Sequence, residues 1–153
     1  MIGILLAGGR ADRLGGGDKG RHVVGTRPIL DRVVATMRAQ CDGLVLNING
    51  DPARFAYLGL PMVADAIPGQ PGPLAGVLAG LDHVAAHHPG LCFAVSVPID
   101  TPFLPVDLVA RLQDVRVADF ASIVCARSGG RPHYVAALWA VDLRHDLRRT
   151  LAR

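Results

Sequence analysis

The sequence predicts a single α/β domain in three layers, α/β/α, built on a Rossmann-like, mostly parallel sheet that closes with a late antiparallel hairpin. Three observations carry this. Short apolar runs alternate with helix-periodic segments from the N-terminus onward, the order that produces a parallel sheet. The run at 91–97, LCFAVSV, is apolar almost throughout, as befits a central strand covered on both faces. The first apolar run empties into a glycine-rich loop, LAGGRADRLGGGDKG, at the kind of strand end where open α/β sheets bind ligands. A chain of 153 residues fits one domain that buries about 68–70% of its unfolded surface, enough for a core without staples.

In chain order, residues 2–6 form a buried strand and the glycine loop follows. Pro28 then opens a helix over 28–40, with Ile29, Val33 and Met37 at helix spacing and proline suited to the first turn. Residues 44–47 form the second strand, Asp51 and Pro52 start a short helix through Leu58, and residues 61–64 form the third strand. A Gly/Pro loop over 67–72 leads to a helix over 73–87 and then to the central strand. That strand ends in VPIDTPFLP, after which the pattern predicts a helix over 105–115. Strands over 120–126 and 134–139 follow, joined by a turn at 128–131. A last helix, from Asp142 onward, places Leu143, Leu147 and Leu151 on one face and basic residues on the other.

Composition excludes several functions. Half the residues are apolar and 19% charged, a globular balance, and no apolar run approaches the ~20 residues that span a bilayer. The apolar start lacks the cationic segment of a secretory signal, so the expected compartment is the cytoplasm. A net charge of +3 with scattered arginines lacks the basic stripe of a nucleic-acid surface but suits small phosphorylated ligands. Cys41, Cys92 and Cys125 are odd in number and sit in apolar runs, as small buried hydrophobes do. His83 and His87 have i, i+4 spacing, but the chain has no Glu to complete H-E-x-x-H, which makes them and His88 exposed helix polars.

One lysine stands out. Of the sixteen Lys and Arg residues only Lys19 is lysine, and it lies in the glycine loop, where a compact ammonium differs in kind from a guanidinium fork. Gly15, Gly17 and Gly20 fit G-x-G-x-x-G by letter, but they begin some nine residues after the strand and RHVVGTRP, which follows, is not helical. The phosphate-loop pattern G-K-[ST] also fails, because Lys19 stands between Asp18 and Gly20.

The whole stretch, LAGG followed by Arg13, Leu14, Gly15, Gly16, Asp18 and Lys19, resembles the signature loop of nucleotidyltransferases of the molybdenum cofactor guanylyltransferase type. The likeness continues in order through LVLNING, VADAIPGQPGPLAGVLAGL, VPIDTPFLP and RPHYVAALW, nearly the whole chain. It implies the glycosyltransferase-A-like fold of sugar-nucleotide pyrophosphorylases. It also implies an enzyme that moves GMP from GTP to the terminal phosphate of molybdopterin, releasing pyrophosphate.

Carried over residue by residue, the likeness puts Leu6, Ala7 and Gly8 along the base and ribose. Gly9, Gly15, Gly16 and Gly17 bring bare backbone to the triphosphate, and Arg13 and Lys19 neutralise its oxygens. Asn47 and Asp65 meet the guanine nucleotide at a strand rim. Asp100 of VPIDTP holds magnesium, and Arg131 lies toward the acceptor. Ile99 stands where the family commonly has cysteine, and Tyr134 where it has a second proline. Family members continue with a further strand and helix, so the likeness implies that residues 1–153 are one nucleotidyltransferase domain lacking the family's C-terminal strand and helix, a monomer that works beside an adaptor GTPase. Cytidylyl- or sugar-phosphate nucleotidyltransfer, or nucleotide binding without turnover, are the rival readings. Neither nucleic acid nor a membrane is an expected partner.

Overall fold

The first strand of the chain sets the layering. In a computed structural model that describes residues 1–7, 23–25, 27–67, 69 and 72–152, β1 (Ile2–Leu6) is buried along its whole length. Side chains alternate across a strand, and here the two faces meet different helices. Leu5 joins a core formed with α1 (Ile29–Arg38) and α3 (Leu108–Asp119), while Ile2, Ile4 and Leu6 join a second core with α2 (Pro73–His87). Leu143 and Leu147, the latter on α4 (Arg144–Leu151), close the second core. Two helices on each face of one sheet complete the α/β/α sandwich.

The short pair β2 (Val23–Val24) and β3 (Arg27–Pro28) precedes α1. The six-stranded sheet then takes in β4 (Gly43–Asn47), β5 (Met62–Val63), β6 (Phe93–Pro98), β7 (Ile123–Ser128) and β8 (Arg131–Ala140), in the order β5-β4-β1-β6-β8-β7. The first four are parallel, and β8 runs antiparallel to β6 and to β7. The hairpin turns through Gly129 and Gly130 at φ 54° and 77°, left-handed values that a two-residue hairpin loop requires and glycine adopts freely.

Gly80 is another glycine with a structural duty. A Cβ there would stand 2.5 Å from Ile4 Cγ2, so its bare backbone lets α2 settle onto β1. The one buried hydroxyl of the sheet is fully satisfied: Ser96 Oγ donates to Val135 O at 2.7 Å and accepts from Trp139 Nε1 at 2.8 Å.

Some boundaries differ from the sequence reading. The segment after Asp51 is a 3-10 helix, Pro52–Leu58, and Asp51 Oδ1 accepts from Ala53 N at 2.9 Å as its cap. The third helix starts at Leu108 rather than at Pro105. Gln40, beyond the end of α1, accepts from Val109 N at 2.9 Å and donates to Pro105 O at 3.0 Å, fixing that start from 69 residues away. The last helix is preceded by a 3-10 turn, Val141–Leu143.

The cysteines also depart from expectation: Cys92 is exposed in the connection before β6, and Cys41 and Cys125 are half-buried. Burial pushes the Cys41 thiol up from 9.0 to about 11, against the lowering pull of the N-terminal ammonium. At pH 8 roughly one Cys41 in a thousand is then thiolate, the reactive form. Iodoacetamide at that pH is expected to label Cys92 in the native chain and to reach Cys41 only after unfolding, read by peptide mass spectrometry. Equal native labelling of both would contradict the placement.

Candidate active site

The connections of the parallel sheet diverge at one point. β1 leads through α1 to β4 on one side, while β6 leads through α3 to the β7 and β8 hairpin on the other. The edge beyond the carboxyl ends of β1 and β6 is therefore the topological switch point, where open α/β sheets hold their ligands.

Five of the expected site residues converge there. Leu6 is paired with Asn47 on one side and with Pro98 on the other. Ala7 N donates to Asn47 O at 2.9 Å and Ile99 N donates to Leu6 O at 3.3 Å. These bonds tie the three strand ends together and set Asp100, the next residue, at the rim with its side chain exposed. Thr101 Oγ1 donates to Pro98 O at 2.8 Å and closes the turn that carries Asp100.

On the β4 side, Asn47 is 1% exposed and packs against α2, where a Cβ on Gly76 would stand 2.3 Å from its Oδ1. Its Nδ2 donates to Asp65 Oδ1 at 3.0 Å and to Val63 O at 3.3 Å. A partner absent from the sequence reading completes the cluster. Asn49 Nδ2 donates to Asp65 Oδ2 at 2.6 Å, and Asn49 Oδ1 accepts from Asp65 N at 3.0 Å. Asn47 and Asn49 lie two apart at the end of one strand, a spacing that could have flagged the second.

Arg131 begins β8 and is exposed. Pairing of β8 with β6 covers only Phe93–Ser96 against Ala137–Ala140, so the first half of β8 runs on past the carboxyl end of β6 beside β7 alone. The register with β7 jumps between Cys125 and Ala126, whose partners are Ala137 and His133. The hairpin arm carrying Arg131 thus projects from the same edge as Asp100, and Ser128 Oγ lies 2.6 Å from His133 Nε2 near its tip. Gly8, Gly9, Arg13, Gly15, Gly16, Gly17 and Lys19 lie outside the described residues; the chain leaves β1 toward them at this edge.

The histidines sit elsewhere. His83 and His87 stack at 4.2 Å between ring centroids at the far end of α2. Burial first, then the neighbouring His87 and His88, hold the His83 pKa below its ordinary 6.5 and favour the neutral ring. Among the described residues no cluster of three or more His, Cys, Asp or Glu side chains would hold a metal ion, and no helix is long and apolar enough to cross a membrane.

Residues 3–153 match the model of the MobA-like NTP transferase domain. The chain belongs to the MobA-like NTP transferase family. Its curated relatives agree. A molybdenum cofactor guanylyltransferase of Rhodopseudomonas palustris (strain BisB5) is 55% identical over 148 residues, 97% of this chain and 70% of the relative. One from Nitrobacter hamburgensis is 52% identical over 151 residues, 99% of this chain and 72% of that one. Solved structures share the MobA-like fold at low identity. Molybdopterin-guanine dinucleotide biosynthesis protein A from Archaeoglobus fulgidus superposes with TM-score 0.74 at 18% identity, covering 99% of this chain and 73% of that one. Rv0371c from Mycobacterium tuberculosis H37Rv does so with TM-score 0.77 at 21% identity, covering 97% and 76%.

Proposed function

We propose that this chain is a nucleotidyltransferase that moves GMP from GTP to the terminal phosphate of molybdopterin and releases pyrophosphate. The observation that carries the reading is the full-chain likeness, above 50% identity, to relatives named molybdenum cofactor guanylyltransferase. The convergence of Leu6, Asn47, Asp65 and Asp100 on one switch point supports it from the geometry.

An oxygen of the acceptor's terminal phosphate attacks the α-phosphorus of GTP. The new bond forms as the bridge to the β-phosphate breaks, and pyrophosphate leaves with the bonding pair. The attacking oxygen is already anionic, so no general base is required, and catalysis reduces to alignment and charge stabilisation. In this proposal Leu6 and Ala7, with Gly8, line the nucleoside, and Asn47 and Asp65 meet the base. Gly9, Gly15 and Gly16 bring backbone N–H groups to the triphosphate, where Arg13 and Lys19 offset its charge. Arg131, on the projecting arm, faces the acceptor.

The residues present fit magnesium. Asp100 offers hard carboxylate oxygens at the exposed rim, and magnesium is commonly held by one or two carboxylates together with substrate phosphates. Bound there, it would neutralise charge on the phosphate oxygens during transfer.

Melting temperatures with GTP, CTP, UTP and NAD, each with magnesium, test the base assignment. At a hundredfold excess over Kd, GTP adds about 2.7 kcal/mol of stability, roughly 5–10 °C for a domain of this length. CTP, UTP and NAD are expected to shift it far less. A shift with CTP or UTP equal to that with GTP would move the assignment to another nucleotidyltransferase, and a response to NAD alone would end it.

A further inference from the structure

The carboxylate of Asp65 is gripped more firmly than a surface aspartate requires. Asn49 spends both ends of its carboxamide on this one residue: Nδ2 donates to Asp65 Oδ2 at 2.6 Å and Oδ1 accepts from Asp65 N at 3.0 Å. Asn47 donates to the other oxygen, Oδ1, at 3.0 Å. Asn49 itself is exposed and adds nothing to either core.

A carboxylate has about four lone-pair sites. Two are taken by the asparagines, which leaves one on each oxygen, in a plane the asparagines fix. Two acceptors side by side in a fixed plane match two donors side by side. Guanine presents such a pair, N1–H and the 2-amino group, whereas adenine presents an acceptor at N1 and repels a carboxylate there. We propose that Asn49 is a positioning residue that locks the Asp65 carboxylate in the orientation that reads guanine, and so sets the base selectivity of the site. The inference rests on the guanylyl-transfer reading above and adds to it a residue that never touches the reacting atoms.

Preorganisation explains the arrangement. A free aspartate samples several rotamers, and ordering it on binding subtracts from affinity. A locked one does not, and a site built to hydrogen-bond a polar edge rejects the base that lacks that edge.

Calorimetric titration of the whole chain with GTP and with ATP, both with magnesium, tests this in wild type, Asn49→Ala and Asn49→Asp. Wild type is expected to favour GTP. Asn49→Ala is expected to weaken GTP about tenfold, the scale of one lost hydrogen bond to a charged acceptor, and to leave ATP within about twofold. Asn49→Asp keeps the shape but sets two carboxylates face to face. Its GTP:ATP ratio is expected to be lost at pH 8 and partly regained at pH 5.5, where a shared proton restores the donor, while the wild-type ratio stays flat.

If Asn49→Ala does not fold, the pH profile of Asn49→Asp decides alone: a flat, wild-type ratio would overturn the inference. Asn49→Ala that keeps the wild-type ratio, or that weakens GTP and ATP equally, would overturn it too. Wild type with no preference for GTP would remove the guanylyl reading itself, and this inference with it.

Discussion

Asp100→Ala is expected to lower pyrophosphate release about 10²-fold, the scale for losing one preorganised charge contact in a transition state. The nucleotide-free chain should melt within about a degree of wild type, since exposed substitutions rarely move stability by more than half a kcal/mol. The separation of the two effects follows from where the residue sits. Asp100 is exposed and makes no hydrogen bond among the described residues, while the strand end that presents it is held by Ile99 N to Leu6 O and by Thr101 to Pro98 O. Removing the carboxylate leaves that frame untouched. Asp100→Asn keeps the size and loses the charge, and is expected to fail nearly as badly. Lys19→Ala, on the opposite charge, is expected to fall by a similar factor. Near-normal turnover in both Asp100→Ala and Lys19→Ala would remove the assignment.

The second large effect is expected at Gly76. Alanine favours a helix over glycine by about 1 kcal/mol, so propensity alone predicts a gain. Packing decides otherwise. The new Cβ would stand 2.3 Å from Asn47 Oδ1, 2.8 Å from Asn47 Cγ and 3.1 Å from Leu6 Cδ2. Asn47 has nowhere to go: it is 1% exposed, and its amide is bonded to Val63 and Asp65. Either it rotates and leaves a buried amide unpaired, or α2 lifts from β1, where Gly80 sits as close to Ile4. Each route costs about 1–3 kcal/mol. The Gly76→Ala chain is expected to melt roughly 5 °C lower and to bind GTP at least about tenfold more weakly. Gly90, whose added Cβ would meet nothing within 4 Å, supplies the control: Gly90→Ala should change neither. Equal behaviour of the two variants would contradict the packing account.

What was legible in the sequence divides along physical lines. The parallel strands were readable because a strand buried on both faces is apolar nearly throughout, as β1 is and as β6 is apart from Ser96. The β2 and β3 pair was not, since two residues show no period. The start of α3 is not legible locally: Pro105 carries the usual first-turn signal, while the bond that fixes the helix start, Val109 N to Gln40, comes from a distant residue. The full length of the hairpin arm is not legible because Arg127, Ser128, Arg131 and His133 do not alternate as a half-buried strand does; the main-chain ladder and the Gly129-Gly130 turn hold it.

At the site, the place of Asp100 at the rim could be read because VPIDTP follows directly on the apolar run that forms β6. For Asn49 the two-residue spacing from Asn47 is the one sequence signal; its partner Asp65 lies sixteen residues away and only the folded sheet brings them together. Nothing in the sequence distinguishes Gly76 from any other glycine in a helix; its role comes from the Asn47 side chain packed beneath it.

The measurement that most directly tests guanylyl transfer is pyrophosphate release from GTP and magnesium on adding molybdopterin to the purified chain, with the acceptor weighed by mass spectrometry. The account predicts one pyrophosphate per acceptor, an acceptor heavier by one GMP unit, and little product when CTP replaces GTP. Bound GTP with no pyrophosphate released in the presence of the acceptor, or CTP serving as well as GTP, would contradict it.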